Sequence, residues 1–250
     1  MSQFSEPPIT MNDLERNLRS VQSRIHAAAE MAGRDPGEIT LVAVSKTFPV
    51  EMILAAYGLG VRHIAENRVE EASRKIPQVR SQLSGESAGV IWHMVGHLQS
   101  RKVKDAATLF DFVQSVDSAA LARRLEERSS ALGKTLPVLL EINVSGEASK
   151  YGLASEPREN LFVIVDEVLR LPHLDVQGLM TMAPIVNVPD DARPVFRALC
   201  ELRDELRTRF PGRAWKHLSM GMTDDFEIAI AEGATIVRIG RAIFGERPRP

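Results

Sequence analysis

From Thr10 onward apolar residues recur every three or four positions, at Leu14, Leu18, Val21, Ile25, Ala28 and Ala32. That period places them on one face of a helix, so the chain is expected to open with an amphipathic helix. Its ends are marked. Thr10 and Asp13 form a capping-box pair in which Asp replaces the longer Glu or Gln, Ile9 and Leu14 occupy staple positions, and Gly33 stops the helix. Residues 1–9 and 247–250 are expected to be flexible ends, with a flexible surface insertion at 85–89.

After that helix, short β-branched or apolar runs alternate with longer amphipathic stretches. Strand-like runs occupy 40–44, 61–65, 90–95, 110–115, 137–143, 174–180, 215–218 and 235–239. Helical patterns fall at 51–59, 68–79, 100–108, 119–132, 158–171, 192–209 and 225–232. Strands alternating with helices imply a parallel sheet, and eight such units in a chain of 250 residues match a closed (β/α)₈ barrel of the TIM type. The competing fold, an open doubly wound sheet, needs a glycine-rich first turn, whereas Ser45-Lys46-Thr47-Phe48-Pro49 follows the first run. The expected architecture is therefore a single α/β barrel over 10–246 with an extra N-terminal helix.

Composition narrows the class of partner. The chain is 44% hydrophobic and 26% charged, a globular balance. Lys and Arg total 31 against 33 Asp and Glu, so a net charge of −2 offers no global positive field to nucleic acid or an anionic membrane. A small molecule or a protein is the better-matched partner, and the chain is expected to act as a monomer or weak dimer. Cys200, the one cysteine, has no internal partner, and the apolar runs fall short of the roughly 18 residues a membrane helix needs. No basic stretch followed by an apolar run opens the sequence, so a cytoplasmic location is expected.

Barrels carry their chemistry at the C-terminal ends of the strands. The residues there are Lys46, then Glu66 and Asn67, His93 and Gly96, Ser115, Asn143, Met180 and Thr181, Ser219 to Thr223, and Arg238 with Gly240. About half of such a set serves as turn and capping chemistry in an ordinary protein. Lys46 stands out because it follows Leu41-Val42-Ala43-Val44, which places its stem at the mouth of a packed wall. Apolar surroundings and neighbouring cations weaken an amine's hold on its proton, and the deprotonated amine is the form that attacks a carbonyl to make a Schiff base. The bland alternative is a lysine that snorkels to solvent.

A second signal is a phosphate cradle. In barrels phosphate commonly sits between the last two strand-end loops, at the start of a short extra helix. Here those loops are Ser219-Met220-Gly221-Met222-Thr223 and Arg238-Ile239-Gly240, with a short helix expected at 242–244. The hydroxyls of Ser219 and Thr223 and the bare backbone at Gly221 and Gly240 are the expected donors. A metal site is not expected: His93 and His97 have the spacing of a ligand pair, but no glutamate follows His93 and no third ligand cluster lies nearby. His93 reads as packed and His97 as solvated. The basic cluster Arg101, Lys102 and Lys104 reads as a solvated helix face, or as a holder for an anion or partner.

With these motifs the chain resembles the pyridoxal phosphate homeostasis family. The resemblance runs over nearly all of 10–247 and rests on Ser45-Lys46-Thr47, Glu66-Asn67-Arg68, Trp92-His93-Met94-Val95-Gly96-His97 and Asn143-Val144-Ser145-Gly146-Glu147. It continues through Gly178-Leu179-Met180-Thr181-Met182, Leu218-Ser219-Met220-Gly221-Met222, Val237-Arg238-Ile239-Gly240 and Ile243-Phe244-Gly245. The resemblance implies a barrel similar to the N-terminal domain of alanine racemase, with pyridoxal 5′-phosphate (PLP) held as a Schiff base on Lys46. It also implies phosphate contacts from the Ser219 loop and the Gly240 turn, and Arg238 at the pyridine nitrogen. Two positions depart from the family pattern: Arg68 stands where an aromatic residue is common, and Thr223 where serine is. The candidate cofactor-binding set is Lys46, Asn67, His93, Met180, Ser219, Gly221, Thr223, Arg238 and Gly240.

An arginine at the pyridine nitrogen opposes protonation there and makes the ring a poorer electron sink. Racemisation also needs a second, opposed base, for which Tyr151, in the loop after the fifth strand, is the nearest phenol by position, and no second domain is expected to supply another. The expected function is therefore non-catalytic: a PLP carrier serving intracellular homeostasis, by buffering or by delivery to apo-enzymes. Two enzyme readings compete with it, a PLP-dependent amino-acid racemase or decarboxylase, and an aldolase that uses Lys46 on a sugar phosphate without cofactor.

Overall fold

The computed structural model describes residues 10–83, 89–147 and 150–246; the expected flexible ends and most of the 85–89 insertion lie outside them. Helix α1 (Met11–Met31) begins on the anticipated capping box: Thr10 Oγ1 accepts from the Asp13 N–H at 3.2 Å, and the Thr10 N–H donates to Asp13 Oδ2 at 3.1 Å. Its buried face runs Leu14, Leu18, Val21, Ile25, Ala28 and Ala29, while Ala32 is the C-cap and only half-buried. This helix packs on the last two helices of the ring and so covers the seam where the barrel closes.

Strands β1 (Thr40–Val44), β2 (His63–Glu66), β3 (Ile91–Met94), β4 (Phe112–Val116) and β5 (Leu136–Asn143) pair in sequence. The two-residue β6 (Leu153–Ala154) extends the end of β5, and the ring continues through β7 (Leu174–Met180), β8 (His217–Ser219) and β9 (Ile236–Ile239). β9 then pairs back onto β1, placing Val42 opposite Arg238, so the eight main strands form a closed parallel barrel. Around it lie α2 (Val50–Gly58), α3 (Val69–Gln82), α4 (Val103–Leu109), α5 (Ala119–Ala131), α6 (Arg158–Leu169), α7 (Arg193–Arg209), α8 (Phe226–Ala231) and α9 (Arg241–Phe244).

Each strand divides its side chains between two buried regions. Ala43, Ile64, Trp92, Val113, Leu140 and Val237 belong to the shell shared with the helices. Val42, Val44, Ala65, Phe112, Leu139, Met180 and Ile236 form the separate cluster inside the ring. Burial on both faces is why these strands read as continuous apolar runs rather than alternating ones.

Two departures from the expected boundaries and one break in register have local causes. Phe110 belongs to the helical side, as the C-cap of α4, so β4 starts at Phe112. Trp215 is fully buried with φ +41, outside the extended region, and β8 begins only at His217. Along β5 and β7 the register slips between Val138 and Leu139, where Val138 faces Val176 but Leu139 faces Gly178. That bulge resets the alternation, so Val176 and Leu179 both point to the helices while Met180 turns into the ring.

Candidate functional site

The alternation that turns Val42 and Val44 inward carries Lys46 to the barrel mouth just past β1. The elbow around it is braced from α3. Thr47 adopts a left-handed φ of +69 and its N–H donates to Glu71 Oε1 at 2.6 Å. Ser45 Oγ donates to Glu66 Oε1 at 2.7 Å. Lys75, nearly buried, joins all three pieces: its Nζ donates to the Ser45 carbonyl at 2.8 Å, to Glu66 Oε1 at 2.9 Å and to Glu71 Oε1 at 2.6 Å. The residues on either side of Lys46 are thus tied to one buried ionic cluster. Burial raises the Glu66 carboxyl above its ordinary value, against the opposing pull of Lys75 and Ser45.

Arg238, on the strand adjacent to β1, is 4% exposed. One arm donates to Ser219 Oγ at 2.5 Å and the other to the Thr181 carbonyl at 2.9 Å, with Met182 Sδ at 3.3 Å. Burial brings its guanidinium down to about 10, while Glu141 and Asp225 pull the other way, so it remains charged at neutral pH. Glu141, on β5, is pushed up to about 7 by burial and by Asp117, with Arg238 opposing. Its Oε2 is buried without a hydrogen-bond partner among the described residues, as is Oδ1 of Asn67 at the end of β2. Asn67 is pressed against the segment that follows β3: a Cβ on Gly96 would stand 2.3 Å from its carbonyl oxygen.

The members of the expected phosphate cradle each make their own contacts in the structure. Ser219 points into the ring, where its hydroxyl donates to Gln114 Oε1 at 2.7 Å while accepting from Arg238. Gly221 has φ +91, and an added Cβ would meet Ala229 Cβ at 2.6 Å, so its glycine is required by packing against α8. Thr223 Oγ1 lies 3.4 Å from the N–H of Ala242, next to the start of α9. Gly240 caps α9, and a Cβ there would approach the Val44 carbonyl at 3.2 Å. Met180 is fully buried in the ring. His93 is also buried, between His63 and Gln114 and against Phe112.

His97 is exposed, as expected, and also engaged on two sides: Nδ1 lies 2.9 Å from Asp117 Oδ2, and the ring stacks on Tyr151 at 3.8 Å. Both border a cavity of about 530 Å³ that also touches Asn67, Gly96 and Arg101. Gln114, Glu141 and Lys75 were not anticipated. Glu141 is a single polar residue inside an apolar run, Leu139-Leu140-Glu141-Ile142, a signal of a polar group aimed into the ring, whereas Gln114 is followed by Ser115 and carries a weaker one. Glu71 and Lys75 read as an ordinary solvated helix pair, so nothing in the sequence marks them as buried.

A closed parallel barrel with a lysine after its first strand and an arginine on its last defines a class of barrel domain, and the family model for the alanine racemase N-terminal domain matches residues 9–248; the chain belongs to that family. It is similar to the pyridoxal phosphate homeostasis protein of Aquifex aeolicus, 43% identical over 95% of this chain and 99% of the relative. Among solved structures, an unknown protein from Bifidobacterium adolescentis superposes with a TM-score of 0.86 at 36% identity, covering 95% of this chain and 98% of that one. PipY of Synechococcus elongatus, solved with PLP bound, gives a TM-score of 0.79 at 32% identity, covering 93% of this chain and all of that one. Among the described residues no helix is long and apolar enough to cross a membrane.

Proposed function

We propose that the barrel mouth binds PLP through a Schiff-base link to Lys46, and that the protein serves cytoplasmic PLP homeostasis by buffering the cofactor or delivering it to apo-enzymes. The observation that carries this reading is the juxtaposition, on two neighbouring strands of one mouth, of a lysine on a braced elbow and a buried, charged arginine. The naming of the Aquifex relative and the PLP in PipY support it.

The residues present fit the cofactor. Asn67 Oδ1 and Glu141 Oε2 are buried polar atoms without a hydrogen-bond partner among the described residues, as expected of groups facing a ligand. Gly240 leaves backbone open beside Val44, where a side chain would narrow the approach. Lys46 would take the aldehyde, Arg238 the pyridine nitrogen, and the Thr223 loop with the Gly240 turn the phosphate. Ser219 would then act through Arg238, and His93 and Met180 would line the floor of the ring. When bound, the cofactor supplies a reactive carbonyl and an electron-withdrawing ring; the chain's own part is to hold it and to keep its nitrogen facing a cation.

Borohydride reduction of the loaded protein followed by peptide mapping tests the assignment. The expected result is a pyridoxyl label on Lys46 that disappears, with the visible absorbance band, in Lys46→Ala while the far-UV circular dichroism is unchanged. A label on Lys75 or Lys150 with none on Lys46 overturns it.

A further inference from the structure

The inside of a (β/α)₈ barrel is ordinarily filled by branched apolar side chains. Here a line of polar groups runs up it beside the apolar cluster of Val42, Val44, Leu139 and Ile236. His63, at the foot of β2, has Nδ1 at 3.0 Å from Nε2 of His93, and His93 Nδ1 lies 2.9 Å from Nε2 of Gln114. Gln114 Oε1 accepts from Ser219 Oγ at 2.7 Å, and Ser219 Oγ accepts from Arg238 at 2.5 Å. His93, Gln114, Ser219 and Arg238 are all buried, while His63 is half-buried and forms the outer end. Polar groups in a core are costly unless each is satisfied, so such a line needs a consistent direction of donation.

Only one direction satisfies every group. A guanidinium has donors and no acceptor, so Ser219 Oγ must accept from Arg238. The Ser219 proton then needs an acceptor, and Gln114 Oε1 is in place. That fixes the amide, turning Nε2 to donate to His93 Nδ1, which must be bare. His93 therefore carries its proton on Nε2 and gives it to Nδ1 of His63.

We infer that Gln114 and His93 are positioning residues: they complete a one-way hydrogen-bond chain, donating from Arg238 towards His63, that holds the guanidinium in a single pose at the mouth and couples that pose to the opposite end of the barrel. The part of this that concerns PLP rests on the function proposed above. The chain itself is a property of the protein without cofactor.

The two parts are read separately. In cofactor-free protein labelled with ¹⁵N-histidine, long-range ¹H–¹⁵N spectra at neutral pH are expected to show both His63 and His93 as neutral rings protonated on Nε2. Once ionised, the carboxylate introduced by Gln114→Glu offers only acceptors, so above its titration it should shift the His93 proton to Nδ1 and, through it, put a proton on Nδ1 of His63. A residue that merely filled space would leave His63 unmoved. Wild-type rings protonated on Nδ1, or an unchanged His63 in Gln114→Glu above the pH at which its carboxyl ionises, overturn the chain, and the wild-type spectrum decides even where a variant fails to fold. In loaded protein, Gln114→Leu and Ser219→Ala are each expected to weaken PLP binding about 5- to 20-fold, with the double variant no weaker than the worse single one. Effects that multiply would show that the two residues act independently and overturn the coupling to the mouth. Absence of PLP binding in the wild type alongside the expected tautomers would overturn the proposed function and leave the chain standing.

Discussion

Glu141 illustrates what one misplaced-looking residue does. Its carboxyl is 6% exposed inside the ring and is raised from the ordinary 4.5 to about 7, so the folded protein keeps a proton that the unfolded chain has already released. The folded state then binds more protons across the window from about 4.5 to 7. Stability therefore falls as pH rises through that window and levels off above it. The full difference corresponds to about 3 kcal/mol as an upper bound. Glu141→Gln removes this contribution, so urea unfolding should show a variant close to wild type at pH 5 and more stable than it by about 1–3 kcal/mol at pH 8. Equal gains at both pH values would mean that Glu141 is not the titrating group. The residues of the site were unequally legible. Lys46 and Arg238 could be picked out because strand-end position and charge coincide in them, whereas Ser219 was visible as a hydroxyl but not as the acceptor for Arg238. Whether its Oγ faces a phosphate or a guanidinium depends on a side chain of the neighbouring strand β9, which spacing along the chain does not encode.

Between elements, the main point is that α3 does more than cover the sheet. It carries Glu71 and Lys75 one helical turn apart and presents them to the elbow after β1, where Lys75 also meets Glu66. Removing one member of a buried ionic cluster leaves the others desolvated and uncompensated, which costs about 3–5 kcal/mol. Lys75→Met is expected to lose that much in chemical denaturation and to weaken PLP capture by freeing the 45–47 elbow. The Arg123–Glu167 pair between α5 and α6 is a control: both side chains are substantially exposed, so Arg123→Ala should change stability by less than about 1 kcal/mol. A Lys75→Met protein as stable as Arg123→Ala would show that the brace is not a structural necessity. The elements themselves were largely readable, because runs buried on both faces and helices of period 3.6 differ in length and pattern. The bulge opposite Leu139 was not, since β7 looks like one unbroken run until its partner strand shows where the register slips.

At the scale of the whole molecule, the proposed function sets a fixed cation, Arg238, against the cofactor's nitrogen. Arg238 holds its charge at neutral pH because its value, about 10, remains well above 7 even after burial, and its three contacts leave it little freedom to withdraw. A nitrogen facing that charge stays unprotonated, so the ring is poorly placed to take up the electron pair left when an amino acid loses its α-proton. Acid–base help would come from a positioned side chain, typically contributing about 10²–10⁴-fold. The phenol nearest the mouth by sequence, Tyr151, is 58% exposed and stacked on His97, itself bound to Asp117. Both features point to holding rather than turnover. The loaded wild-type protein is therefore expected to exchange the α-proton of common amino acids in deuterated water far more slowly than about 1 s⁻¹, the lower end of ordinary enzyme rates. Exchange registers proton loss even when no product accumulates, which makes it the stricter assay. Rates of about 1 s⁻¹ or more on several amino acids that vanish in Lys46→Ala would place this barrel among the enzymes, with the His97–Tyr151 pair as the first place to look for the missing base.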